Sequence, residues 1–211
     1  MRVGVLISGF GSNMMKLIES CENNDSKASI ELVFSNNPNA KGIEYAKSKG
    51  IRVISIDHKN YENRNEFDDQ VNKVLLDHDI ELICNAGFMR IHSDNFVKKW
   101  FNRHLNIHPS LLPSFKGLNT HKKAIEAGVK FSGCTVHMVR PGVDEGPIIG
   151  QAITSVDSRD NEELLAEKVL KLEHMLYPAC LHLLAEGQIK INLDKVDYSD
   201  KAIKKLEDFK I

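Results

Sequence analysis

None of the 211 residues lies in an apolar run approaching the roughly 20 positions needed to cross a bilayer. There is no basic excess either. Lys and Arg number 28 against 29 Asp and Glu, a net charge of −1, which argues against a dedicated nucleic-acid surface. Cysteine is sparse: Cys21, Cys84, Cys134 and Cys180 stand tens of residues apart without a CxxC pair. That spacing excludes the usual zinc and disulfide frameworks and predicts reduced thiols in a cytoplasmic protein. The nine histidines contain no HExxH pair, so no metal is assigned. A GxSxG elbow is missing, which argues against acyl transfer through a serine, and no Gly-Lys-Ser/Thr follows a glycine loop to make a Walker motif. The apolar start, residues 1–8, is short, lacks a small-residue cleavage site and runs into Gly9, so it reads as a core strand rather than a signal peptide. What is present, 42% hydrophobic and 27% charged residues, suits a soluble globular chain with a substantial core.

Apolar, β-branched runs alternate with helical patterns through the first half. Strands are predicted at 2–8, 30–35, 51–56, 80–85 and 104–107, and helices at 13–21, 42–49, 64–78 and 94–100. Strand–helix alternation predicts a single doubly wound, Rossmann-like α/β domain with a mostly parallel sheet and helices on both faces. Near-continuous apolarity in "VGVLIS" and "ELVF" suits strands covered on both sides. Beyond Pro113 a helix is predicted at 120–126, closed by Gly128 at a C-cap position. Strands at 133–139 and 147–154, joined by "RPGVDEG", form an antiparallel later portion. A long amphipathic helix starts near Asn161, with Ser158, Asp160 and Asn161 as candidate N-caps, and Pro178 is expected to kink or split it. "QIKINL" reads as a short strand before a charged tail. The domain is assigned to 1–190 and the tail to 191–211.

Four places offer chemistry. "SGFGSN", Ser8 to Asn13, lets the backbone turn tightly at the end of the first strand, with Ser12 or Asn13 capping the next helix. Its backbone N–H groups and the helix dipole favour an anion, most obviously phosphate, against the alternative of a plain strand-to-helix turn. In "NIHPSLLPSFKG", Asn106 offers an amide to a developing oxyanion and His108 a group that titrates near neutrality. As alternate residues of an extended segment they point the same way, and Pro109 fixes the backbone after them. Taken in isolation, the pair reads more simply as two side chains that satisfy backbone groups at a turn. In "RPGVDEGPI", Asp144 sits in a loop shaped by glycine and proline, either as a turn former or as a carboxylate that holds His108 in its charged form. Glu173 falls on or beside the apolar face of the long helix, where an acid wants a partner such as ribose hydroxyls or a cation, unless it reaches solvent at an edge.

Seven motifs together carry a resemblance: "VLISGFGSN" at 5–13, "VFSN" at 33–36, "AGFMRI" at 86–91, "LNIHPSLLPSFKGLNTH" at 105–121, "GCTVHMV" at 133–139, "VDEGPII" at 143–149 and "EHMLYP" at 173–178. In these the chain resembles the phosphoribosylglycinamide formyltransferase family of purine biosynthesis, from residue 1 to about 190. The resemblance implies transfer of a formyl group from 10-formyltetrahydrofolate to the amine of glycinamide ribonucleotide, with no metal and no covalent enzyme intermediate. It implies Asn106, His108 and Asp144 as the catalytic set, Gly11, Ser12 and Asn13 as the phosphate site, and Glu173 at the ribose hydroxyls. Arg64, Met89, Arg90, Ile91 and His92 match folate-contacting positions. Asn106 and the loop Arg140, Pro141, Gly142, Val143 and Asp144 belong to the same folate site, the loop wrapping the pteridine through its backbone. The implied Leu112–Pro113 bond is cis.

Two positions depart from that pattern. Leu170 stands where members carry a polar or basic residue, and Phe10 where they carry a small or polar one. The expected partners are the two small substrates, without nucleic acid or membrane, for a cytoplasmic monomer or homodimer. Within the superfamily, a 10-formyltetrahydrofolate hydrolase would carry an additional N-terminal domain, for which a first strand at residue 2 leaves no room. A methionyl-tRNA formyltransferase would need a further C-terminal domain and a basic surface. A non-enzymatic nucleotide-binding module would have no need of Asn106, His108 and Asp144 together.

Overall fold

A computed structural model describes residues 1–23 and 25–209. The chain divides by its internal contacts into two compact units, the first made of residues 1–106 with 139–141, the second of the remaining described residues.

The first unit is a wound β-α repeat. Its elements are β1 (Arg2–Ile7), α1 (Ser12–Cys21), β2 (Ser29–Ser35), α2 (Gly42–Ser48), β3 (Arg52–Ser55), α3 (Arg64–Asp77), β4 (Leu82–Asn85) and α4 (Asp94–Lys99), leading into β5 (His104–His108). The strands lie in the order β3-β2-β1-β4-β5, and every pairing is parallel. Order reverses at β1, so the loops after β1 and β4 open at a switch point, the usual place for a ligand in such sheets. Val3, Val5, Leu6 and Ile7 are wholly buried, as the continuous apolar run predicts for a central strand. Beneath lies a core of Leu6, Phe34, Phe67, Leu75, Ile83, Phe96 and Trp100, among others. Asn63 caps α3 by accepting from Glu66 N–H, and Ser93 caps α4 by accepting from Phe96 N–H.

The second unit holds α5 (Thr120–Glu126), the antiparallel pair β6 (Phe131–Met138) and β7 (Ile148–Ser155), and the long helix α6 (Glu162–Ala185). Gly128, in the left-handed region at φ 64°, follows the α5 C-cap as expected. Asn161 is the N-cap of α6, its side chain accepting from Leu164 N–H. Leu165, Val169, Leu176, Cys180 and Leu181 of this helix are fully buried, and α6 packs on β6 and β7. Pro178 does not split it: the helix runs unbroken for 24 residues. The buried apolar stripe on both sides of the proline outweighs the hydrogen bond that proline cannot make. Beyond it, β8 (Ile189–Asn192) and β9 (Lys195–Tyr198) form a separate antiparallel hairpin, and α7 (Asp200–Glu207) ends the described chain. The strand expected in "QIKINL" is β8. The tail beyond it, whose last two residues lie outside the described ones, carries a strand and a helix that its charge pattern did not signal.

The α/β class with a mostly parallel sheet and a later antiparallel pair is therefore as the sequence predicts. Among the described residues no helix is long and apolar enough to cross a membrane. All four cysteines are thiols rather than disulfides, three of them buried.

Candidate active site

In the first unit, the glycine loop delivers a bare helix end. Gly11, at φ 73° and ψ 36°, occupies the N-cap position of α1, and no side chain caps the helix. The expected capping by Ser12 or Asn13 is absent because the helix begins one residue earlier, at Ser12 itself. Glycine is suited to that left-handed conformation, and a Cβ there would also meet Met14 Cε at 3.2 Å. No acidic side chain occupies the first turn, so the partial positive charge of the helix end is uncompensated. Gly42, opening α2, lies so close beneath the loop that a Cβ would come within 2.8 Å of the Phe10 carbonyl oxygen. Its N–H donates to the Gly9 carbonyl at 3.1 Å. Ser8 ties the loop to the strap after β4: its hydroxyl donates to Asn36 Oδ1 at 2.6 Å and accepts from Met89 N–H at 2.8 Å. Loop residues 8–13, with Ala86, Gly87 and Met89, line a cavity of about 220 Å³.

The strap alternates outward and inward. Met89 and Ile91 are exposed (72% and 54%), whereas His92 is buried at 6%. The Arg90 guanidinium stands 5.1 Å from the centre of the Phe67 ring. His92 is sandwiched between Phe88 and Phe96, nearly parallel to both at 5.0 and 4.5 Å, with Nδ1 3.6 Å from Asp68 Oδ1. Its ring therefore anchors the strap from within. Arg140 is similar. Its guanidinium lies 3.9 Å from the Phe101 ring centre and donates to Asn102 Oδ1 at 2.6 Å. Arg64, exposed at the start of α3, is not among the residues lining the cavity. Asn106 pairs opposite Asn85 at the end of the β4–β5 ladder.

In the second unit, His108 and Asp144 come together as the sequence suggested. His108 Nδ1 lies 3.4 Å from Asp144 Oδ2, and both side chains are largely buried. Asp144 takes φ 53°, the left-handed region that short polar side chains tolerate, and accepts from Gly117 N–H at 2.9 Å. His108 Nε2 faces the Phe115 carbonyl at 3.0 Å. A carbonyl can only accept, so this contact places the proton of the neutral ring on Nε2 and leaves the Nδ1 lone pair toward the carboxylate.

The charge state differs from the sequence expectation. Burial pushes the His108 pKa below its usual range, against the upward pull of the Phe115 hydrogen bond and of the Asp144 charge. Asp144 therefore does not hold the ring charged, because desolvation outweighs one partly screened carboxylate. For Asp144 itself, burial pushes upward, but the His137 and Gly117 hydrogen bonds and the neighbouring imidazoles outweigh it, and its pKa is lowered. The outcome is a neutral imidazole beside a firmly ionised carboxylate, poised to take a proton on Nδ1.

Three residues of this unit were not singled out from the sequence. His137 Nε2 lies 3.6 Å from Asp144 Oδ1, on the side away from His108. Thr135, wholly buried, donates to the Ser110 carbonyl at 2.7 Å and accepts from Leu112 N–H at 3.0 Å, fixing the turn after His108. Thr135 and His137 are alternate residues of β6, and polar residues on a buried strand face were the available signal. His121, near the start of α5, is half-buried, and burial followed by the nearby His108 lowers its pKa despite Glu162. Glu173 is buried at 7% on α6 and does not reach solvent. Its charge helps raise the Cys134 thiol, whose burial is the larger cause. Leu170, one turn earlier and 37% exposed, brings no charge to the helix face. The Leu112–Pro113 peptide is cis. No cluster of His, Cys, Asp or Glu among the described residues has the makings of a metal site.

An α/β unit with an open glycine loop at its switch point, and a buried His–Asp pair, suit group-transfer chemistry on a phosphorylated substrate. Residues 1–181 match the family described as formyl transferase, and the chain belongs to that family. It is 38% identical over 192 residues to the phosphoribosylglycinamide formyltransferase of Escherichia coli (strain K12), covering 91% of both. It is 50% identical over 190 residues to the trifunctional purine biosynthetic protein adenosine-3 of Gallus gallus, covering 90% of this chain but spanning only 19% of that relative's length. The crystal structure of glycinamide ribonucleotide transformylase 1 from Symbiobacterium toebii superposes with a TM-score of 0.91 at 40% identity, over 95% of this chain and 94% of that one.

Proposed function

We propose that the chain transfers the formyl group of 10-formyltetrahydrofolate to the amine of glycinamide ribonucleotide, a step of purine biosynthesis. The observation that carries this reading is the buried His108–Asp144 pair, with the histidine pKa lowered by burial and the aspartate pKa lowered by its hydrogen bonds and neighbouring imidazoles. Chemistry at such a pair needs a substrate that brings its own nucleophile, and a primary amine does so.

The amine lone pair forms the new N–C bond at the formyl carbon, and the carbonyl electrons move to oxygen. Asn106, alternate to His108 on β5, donates its amide N–H to that oxyanion, and His108, once it has taken a proton on Nδ1, stabilises it by the charge of the imidazolium. One such donor is worth about 3–4 kcal/mol in the transition state. Asp144 balances the imidazolium and relays protons through water. Collapse of the intermediate breaks the bond to N10 of the folate. N10 receives the proton that the amine has lost, so no proton is gained or lost overall.

Gly11, Ser12 and Asn13 hold the ribonucleotide phosphate on the uncapped helix end, and Glu173 accepts from the ribose hydroxyls. Met89 and Ile91, exposed and apolar, are suited to cover flat folate rings, and the resemblance assigns Val143, Arg64 and Arg90 to the same co-substrate. His92, Arg140, Pro141 and Gly142 contribute through their backbone, since the His92 and Arg140 side chains are engaged within the protein. The reduced thiols suit the cytoplasm.

The test is spectrophotometric. The protein is mixed with 10-formyltetrahydrofolate with and without glycinamide ribonucleotide, and deformylation is expected only in the presence of both. Deformylation that runs equally fast without the ribonucleotide would mean a hydrolase and sink the transferase reading.

A further inference from the structure

We infer that Gln151, on β7, is a positioning residue that holds the His108 turn in register for proton transfer, an inference that rests on the proposed formyl transfer. Gln151 stands directly opposite Thr135 in the β6–β7 ladder. Its Nε2 donates to the Leu112 carbonyl at 2.9 Å and to Thr135 Oγ1 at 3.0 Å. Because the Leu112 carbonyl can only accept, the amide nitrogen, not its oxygen, must face the turn.

The consequence for Thr135 is full saturation. Its hydroxyl has one proton and two lone pairs, and the lone pairs are taken by Leu112 N–H and Gln151. The proton has one place left to go, the Ser110 carbonyl at 2.7 Å. Gln151 therefore completes a set of hydrogen bonds that reaches Ser110, two residues from the histidine. Ser110 donates its hydroxyl to the carbonyls of Ser114 at 2.6 Å and Phe115 at 3.3 Å. Phe115 O is also the acceptor that fixes His108 Nε2. Two side chains on neighbouring strands thus satisfy three backbone groups of the turn after His108, and through Ser110 they support the oxygen that sets the His108 tautomer.

Replacing Gln151 by Met keeps the volume and removes both donors, leaving the Leu112 carbonyl unsatisfied and one lone pair of Thr135 unfilled. Turnover should fall about ten- to a hundredfold, as small misplacements of reacting groups do. Both KM values should stay within about twofold, because no substrate contact is lost. The His108 ring, followed by NMR through its ¹⁵N shifts, should titrate at a changed midpoint. Thr135→Val should reproduce these effects and Thr135→Ser, which keeps the hydroxyl, should restore them. The double variant Thr135→Val/Gln151→Met should be no worse than the poorer single, since both act through one chain of bonds.

A folded Gln151→Met with unchanged turnover and an unchanged His108 titration overturns the inference, as do additive losses in the double variant. Should Gln151→Met not fold, Thr135→Val against Thr135→Ser makes the same comparison. If the unaltered protein transfers no formyl group, the functional reading fails while the His108 titration still decides the positioning role.

Discussion

His108 is held between two acceptors, the Asp144 carboxylate and the Phe115 carbonyl, yet burial keeps it neutral. A second proton would satisfy both acceptors at once, and the reaction can make use of that latent stabilisation. His108→Ala should therefore lower kcat by about 10²–10³-fold while leaving ribonucleotide affinity nearly intact, measured by steady-state kinetics beside calorimetric titration. Near-normal turnover would show the histidine to be misassigned. Asp144→Asn is the cleaner electrostatic probe, because asparagine also tolerates the left-handed backbone found there. Asp144 raises the His108 pKa, so its neutralisation should move the ring's titration midpoint, read from its C2 proton, further down. An upward movement would contradict the balance of burial and charge described here.

At the scale of elements, the junction of β1, α1 and α2 shapes the glycine loop proposed to hold the phosphate. Gly42→Ala would drive a Cβ against the Phe10 carbonyl and Ile7, and the clash with backbone can be relieved only by shifting the glycine loop. Ribonucleotide affinity should weaken while kcat changes little, and unchanged affinity would separate the loop from the phosphate. Helix α6 gives a simpler prediction. Asn161→Ala removes its single side-chain cap and should cost about 1 kcal/mol in urea unfolding. The caps at Asn63, Ser93 and Asn161 are side chains of the kind that marks helix starts in sequence, whereas the α1 start is not: Ser12 and Asn13 look like caps, but Gly11 takes the position. Pro178 misleads in the same way, because its local cost is visible in the sequence and the buried stripe that overrides it is tertiary.

For the molecule as a whole, the sign of its acid sensitivity follows from the buried groups. His108 and His121 have folded-state pKa values below the usual one of about 6.5, so the unfolded chain binds protons first as the pH falls. Their contribution is complete above that value and declines below it. Asp144 and Asp68 are lowered as well, Asp68 because His92 and the Ser93 N–H outweigh its burial, and their contribution persists until the pH falls below the ordinary carboxylate range. Urea midpoints should therefore fall between about pH 7.5 and 5.5 through the histidines alone, with a steeper loss below about pH 4. His108→Gln should flatten the first phase, and a midpoint that rises on acidification would contradict it.

Periodicity and turn chemistry by themselves determined the β-α alternation, the antiparallel later pair, and the helices at 64–77 and 120–126, because amphipathic patterns and glycine turns are local properties. A string of short motifs pointed to the formyl transferase family, within which Asn106, His108 and Asp144 are proposed to do the proton chemistry. Tertiary structure alone decided that burial lowers the His108 pKa, that the His92 and Arg140 side chains pack against aromatic rings, and that Thr135, His137 and Gln151 stand around the His108 turn. Desolvation and hydrogen-bond partnership depend on which distant segments meet, and no spacing along the chain encodes that.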